Sequence, residues 1–194
     1  MNIPLPDKKY KIILADPPWR YNDRSHRGGA ESHYPTMRID DICALDVPSI
    51  SDDNSVLLMW ATFPQLEKAF KVIKAWGFTY KTCAFVWVKV TSKNNIYMGM
   101  GRHTRANAEL CLLGTRGKGL HRESAGVKNT WLYPRTKHSE KPHQFRAHIE
   151  TLYGRVPRIE LFARHKARGW DCWGLEAEES LASMVKSKLV GFFD

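Results

Sequence analysis

The sequence predicts an α/β fold, a mostly parallel sheet with helices on both faces. Three observations predict it. Apolar runs without polar alternation, such as KIILA at 11–15, VLLMWA at 56–61 and IELFA at 159–163, read as strands buried on both sides. Stretches with apolar residues at helical spacing lie between them. Turn-forming residues bound the strands, and no repeat, low-complexity tract or linker interrupts the order. A chain of 194 residues fits one domain with a full core.

Each element has its own local reason. Residues 10–16, YKIILAD, read as a buried strand that stops at a carboxylate and two prolines, because proline cannot continue a central strand. Residues 20–36 are polar and contain Gly28-Gly29; a loop that long in a compact domain is commonly functional. Residues 37–46 read as a short helix with Met37, Ile42 and Leu45 on one side. SVLLMWA at 55–61 is a second strand. Over 64–76, Pro64 suits a first helical turn. Leu66, Ala69, Phe70, Ile73 and Trp76 then follow at helical spacing, and Gly77 ends the helix. Residues 79–90, TYKTCAFVWVKV, are β-branched and aromatic and read as a strand. AELCLLG at 108–114 is another. The basic stretch 116–130 reads as a loop and WLYP at 131–134 as a short strand. A helix begins near Pro142, with Phe145, Ile149, Leu152 and Tyr153 inward. Residues 159–163 form a strand and WDCWG at 170–174 a compact aromatic turn or strand. A last helix over 178–189 turns Leu181, Met184, Val185 and Leu189 inward.

The net charge of +10 and pI near 9.5 favour a polyanionic partner, nucleic acid first. The four cysteines, Cys43, Cys83, Cys111 and Cys172, form no C-x-x-C pair, so neither a zinc site nor a disulfide framework is expected. No metal is expected from the histidines either. The N-terminus has no signal-peptide h-region and no stretch approaches a membrane span, which predicts a cytoplasmic protein that meets no membrane.

In open α/β sheets ligands bind at the carboxyl ends of strands. Asp16 stands at one such end and Arg164 at another. The tetrapeptide Asp16-Pro17-Pro18-Trp19 is the most informative motif. As a turn it is unremarkable; after a buried strand and before a polar loop it suits one chemistry. The exocyclic amine of adenine is a poor nucleophile, because its lone pair is delocalised into the ring. It needs an acceptor for each N–H. A carboxylate supplies one and a carbonyl the other. Proline holds its carbonyl rigidly and brings no competing N–H. An aromatic ring beside them can stack on the base. Transfer from a reactive sulfonium is then mainly positioning. Asp16, Pro17, Pro18 and Trp19 are therefore the candidate catalytic residues.

These residues resemble the DPPW-type, circularly permuted adenine-N(6) methyltransferase family, whose eukaryotic relatives include the catalytic subunit of the messenger-RNA adenine methyltransferase. The similarity runs from about Lys11 to about Glu176. Its pieces are ILADPPW at 13–19, HYPTM at 33–37, VLLMWA at 56–61, AWGF at 75–78, VWVK at 86–89, AELCLLG at 108–114, HSEKPHQF at 138–145 and RIELFARHKARGWDCWG at 158–174. The resemblance implies a Rossmann-like methyltransferase fold using S-adenosylmethionine and no metal. It implies cofactor contacts from Asp16, Pro17, Tyr34, Lys141, Arg164, His165, Gly174 and Glu176. It implies acceptor contacts from Trp19, Tyr34, Trp87 and Glu109. Trp87 suits a core role equally well; for Lys141 a solvated surface role is the second choice. Trp170 and Trp173 resemble the cofactor-side turn. Two departures stand out: the strand at 159–163 lacks the F-x-G-x-G of the wider class, and Leu175 replaces an Asn often found after the glycine, leaving Glu176 as the nearby acceptor.

Between 101 and 146 stand ten Lys/Arg against three acids, a strip suited to a phosphate backbone. Arg20 and Arg24 in the first loop are candidate grips near the target base. The expected organisation is a single domain over 1–194, with loop 20–36 and basic region 91–140 as acceptor-binding insertions. The expected reaction is methylation of adenine in DNA, by a monomer or homodimer in a prokaryotic or phage-infected cell. RNA ranks second as the acceptor. A non-catalytic nucleic-acid-binding partner ranks third, since the motif acid is intact.

Overall fold

A computed structural model describes residues 3–20, 36–101, 103–135 and 140–175. In chain order the elements are β1 (Tyr10–Ala15), α1 (Ile39–Cys43), α2 (Val47–Ile50), β2 (Ser51–Ala61), α3 (Leu66–Ala75), β3 (Thr79–Val90), β4 (Ala108–Arg116), β5 (Thr130–Pro134), α4 (Gln144–Tyr153), β6 (Arg158–Leu161) and β7 (Asp171–Trp173). The helix expected over 178–189 lies outside the described residues, as do Arg24, Tyr34 and Glu176.

The strands form one sheet in the order β5-β3-β4-β2-β1-β6-β7. β1 pairs in parallel with β2 and β6, β6 with β7, and β3 with β5. β4 alone among them runs against its neighbours β2 and β3. The sheet is therefore mostly parallel and Rossmann-like. Strand direction is not written in an apolar run, so the reversed β4 was not foreseen.

Both faces are covered, which is why the central strands carry no polar alternation. One face packs Ile13, Leu57, Met59 and Leu112 against Ile42 of α1, Val47 and Ile50 of α2, and Ala69, Val72 and Ile73 of α3. The other packs Ile12, Leu14, Leu58, Trp60, Phe85 and Trp87 against Phe145, Ile149 and Tyr153 of α4.

Three boundaries differ from expectation for physical reasons. The helix expected over 37–46 is α1, a turn, and then α2. Asp46 caps α2, its carboxylate accepting the Ser49 N–H at 3.2 Å, and Pro48 lies in the first turn. β2 starts at Ser51, because Ser51 still pairs with Tyr10. β6 stops at Leu161, because Phe162 takes a left-handed φ of 61°, which no strand accommodates.

The topology places a site. From β1 the chain goes to β2 on one side; from β6 it goes to β7 on the other. Connections that leave adjacent parallel strands in opposite directions open a crevice at their carboxyl ends. Asp16 and Phe162–Arg164 are the residues at that opening. On the α4 face, Ile149 is fully buried in the packing that docks the helix. Ile149→Ala should lower stability by about 2–5 kcal/mol, read as a reduced denaturation midpoint with an unchanged slope.

Candidate active site

The Asp16–Trp19 turn is held through its carbonyls. The Pro17 oxygen accepts the Trp19 N–H at 2.8 Å, and the Pro18 oxygen accepts the Met37 N–H at 2.9 Å. The prolines donate nothing in return, and the Pro17 oxygen keeps a second lone pair.

Trp19 corrects an expectation. A stacking platform needs an exposed ring face, yet Trp19 is 5% exposed, sits in the core on the α1–α3 face and donates its indole N–H to the Trp60 carbonyl at 3.2 Å. Withdrawing so large a ring would forfeit its burial, so here it pins the turn to β2. Trp87 is likewise a core residue, 1% exposed, with its indole N–H on the Tyr133 carbonyl at 3.0 Å.

Four charges run across the carboxyl edge of the sheet. Lys141, just before α4, places Nζ 2.7 Å from Asp16 Oδ2 and 3.2 Å from Glu109 Oε2. Lys89 of β3 places Nζ 2.6 Å from Glu109 Oε1. The Lys141 ammonium also lies 5.7 Å from the centre of the Trp60 ring, and that of Lys89 5.0 Å from the Trp87 ring, where the ring quadrupoles attract them. The Lys141 and Glu109 side chains are 12% and 8% exposed, so each charge depends on its partners.

Burial pushes the Asp16 carboxyl above its ordinary value. The Lys141 charge opposes this, Glu109 adds to it, and Arg164 opposes it more weakly. Burial would also raise Glu109, but Lys141 and Lys89 together hold it below the usual carboxylate range. Burial would depress Lys141, and its two carboxylates outweigh that, so its ammonium is held firmly protonated. Of the two carboxyls, Asp16 is the one shifted toward its protonated form and Glu109 the one shifted away from it.

The remaining candidates lie around the crevice. Arg164 is partly buried and within electrostatic reach of Asp16. His165 Nε2 lies 3.7 Å from Glu140 Oε1. Gly174 presses on the turn after β6, where an added Cβ would stand 2.5 Å from the Ala163 oxygen and 2.7 Å from its nitrogen. Arg20 is exposed, and its carbonyl accepts from Lys68 Nζ at 3.0 Å. Among the described residues no three His, Cys, Asp or Glu side chains gather as metal ligands.

Two participants escaped the sequence reading. Lys89 is one; a lysine inside AFVWVKV was as unusual a signal as Glu109 in AELCLLG. The other is Glu160 of β6, paired with Arg146 of α4 at 2.6 Å and raised by burial, with Asp16 adding to the rise.

The mixed sheet with an acid at its switch point is the frame of a Rossmann-like methyltransferase, and the family comparison makes that assignment. The family model described as MT-A70 matches residues 10–176, and the chain belongs to that family. It is 36% identical over 195 residues to the type II methyltransferase M.MunI of a Mycoplasma species, covering 91% of this chain and 81% of that protein. It is 28% identical over 166 residues to the human N(6)-adenosine-methyltransferase catalytic subunit METTL3, covering 80% of this chain and 26% of that one. The MT-A70-like N(6)-adenosine-methyltransferase of Drosophila melanogaster is 28% identical over 158 residues, covering 80% and 24%.

The charge chain makes two predictions. If transfer needs ionised Asp16, the rate rises as pH climbs through its pKa. Lys141→Met removes the charge that most lowers that pKa and should move the acid limb of the pH–rate profile up. Glu109→Gln removes a charge that raises it and should move the limb down. Shifts in the same direction would separate Asp16 from the limb. Lys89→Ala leaves buried Glu109 with one partner and should cost about 3 kcal/mol of stability. Lys89→Arg should recover most of it, as measured by denaturant titration.

Proposed function

We propose that this protein transfers a methyl group from S-adenosylmethionine to the exocyclic N(6) amine of adenine in DNA. The observation that carries the reading is the Asp16 carboxylate at the switch point of an MT-A70 domain, held by the buried ammonium of Lys141 at 2.7 Å. The crevice suits the methyl donor. Gly174 leaves the space a Cβ would fill, and Lys141, Arg164 and His165 bring positive or polar groups to its rim. The family resemblance adds Tyr34 and Glu176 as cofactor contacts. When bound, the sulfonium supplies the methyl group, and the amine that takes it up gives one proton to solvent.

The chain's own residues do the positioning. The Asp16 carboxylate accepts one amine N–H and the free lone pair of the Pro17 carbonyl the other. Pro18 and Trp19 keep the turn rigid, so little reorganisation is left for the reacting geometry. Glu109 holds Lys141, which steadies Asp16. Arg20, Arg24 and the basic region 91–140 grip the phosphate backbone.

DNA is favoured because the chain is more similar to the type II methyltransferase, 36% identical, than to the N(6)-adenosine-methyltransferases, 28% identical. Those adenosine enzymes are also what supports RNA as the alternative acceptor. We further assign 1–194 as one domain, working as a monomer or homodimer in the cytoplasm of a prokaryotic or phage-infected cell. Among the described residues no helix is long and apolar enough to cross a membrane.

Incubation with labelled S-adenosylmethionine and separate DNA and RNA tests the reading. N(6)-methyladenine in DNA is the expected product. Methylcytosine, or normal cofactor binding without transfer, would overturn it. Asp16→Ala should lower the transfer rate by about a hundredfold or more, with the fold and most nucleic-acid affinity kept; an unchanged rate would remove Asp16 from the chemistry.

A further inference from the structure

Between β3 and β4 the chain makes an excursion over residues 91–107, whose basic side chains are assigned above to the phosphate backbone and whose apolar ones have no role in the proposed chemistry. It is folded back on itself. The Thr91 N–H donates to the Asn95 carbonyl at 2.8 Å, and Asn94 turns through a left-handed φ of 60°. The Tyr97 N–H then donates to the Lys89 carbonyl at 2.8 Å. Gly99 lies so close to the returning strand that a Cβ would stand 1.9 Å from the Ala106 oxygen, and Gly101 is equally tight against the Thr104 oxygen. Only glycine permits these approaches. Arg135 braces the finger, donating to the Tyr97 hydroxyl at 3.0 Å with its guanidinium over the Tyr97 ring.

This braced finger presents apolar side chains to solvent. Tyr97 and Gly99 turn inward, while Ile96, Met98 and Met100 are 61%, 74% and 84% exposed. A single exposed apolar residue means nothing, but three at alternate positions form a ridge. Its surroundings are basic: residues 91–107 contain Lys93, Arg102 and Arg105 with His103, and no acid at all. The finger also leaves the sheet beside Lys89 and returns beside Glu109, the pair that supports Lys141 and Asp16.

We propose that Ile96, Met98 and Met100 form a wedge that enters the base stack of duplex DNA next to the target adenine. The inference rests on the DNA reading above. An amine inside a duplex is out of reach of Asp16 until its base leaves the stack. Aliphatic wedges between base steps offset that unstacking, and flexible thioethers fill an irregular gap. The basic flanks fit the phosphates on either side.

The test is the full-length triple variant Ile96→Ala, Met98→Ala, Met100→Ala, assayed on three substrates. These are a duplex with one adenine in randomised flanks, its single strand, and the duplex with an abasic position opposite the adenine. Transfer to the duplex should fall at least tenfold, transfer to the single strand should stay within twofold, and the abasic duplex should recover most of the loss. Equal loss on duplex and single strand, or no loss on the duplex, overturns the wedge. A shift from dimer to monomer in sedimentation, with parallel losses on every substrate, overturns it in favour of an interface between two copies. Wild-type protein that leaves all DNA unmethylated overturns the DNA reading and the wedge together, before any variant is measured.

Discussion

The contact on which the site depends is the ammonium of Lys141 between two carboxylates. Asp16 directly follows β1, Glu109 is the second residue of β4, and β2 separates those strands in the sheet. Two acids so close and so buried could not both stay ionised without a cation between them. Lys141 supplies it from the segment that leads into α4, so the docking of that helix decides the charge state of the sheet edge. Lys89 completes an alternating row of two anions and two cations with no net charge. Such a row is more tolerable under low dielectric than any of its members alone.

The crevice beside that row is shaped by backbone rather than side chains. Phe162 adopts a left-handed conformation without being glycine, a strain of about 1–3 kcal/mol. Its ring recovers some of that by packing edge-on against Trp173 at 5.4 Å. The Ala163 N–H donates to the Trp173 carbonyl at 3.0 Å, and Gly174 lies directly on the Ala163 backbone. In place of the F-x-G-x-G the turn has one strained aromatic and the glycine that follows β7.

The apolar runs and helical spacings made most elements legible, because burial on both faces writes itself as composition. Strand direction and order were not legible, since Leu112 looks the same in a parallel or a reversed strand. At the site, Asp16 was legible from its motif, and Lys141 and Glu109 from the family resemblance; the structure places the Lys141 ammonium within 2.7 Å of one carboxylate and 3.2 Å of the other. Trp19 misled for an instructive reason. A motif shows which residue follows which, but whether an aromatic ring faces a ligand or the core depends on Trp60, which is 41 positions away in sequence. Lys89 was passed over because a strand's alternation was read as uniformly apolar.

The same division explains the finger between β3 and β4. Its stem residues, Lys89 and Glu109, belong to the charge row, so the finger cannot shift far without disturbing the groups that steady Asp16. A loop held only by solvent-exposed turns would transmit nothing. This one is fixed by glycine–carbonyl approaches at Gly99 and Gly101 and by Arg135 on Tyr97. Its exposed ridge is therefore braced from within and by Arg135. A group that displaces a base must hold a set distance from the group that receives it, and the proposed wedge is rooted beside Lys89 and Glu109, the pair that supports Lys141 and Asp16.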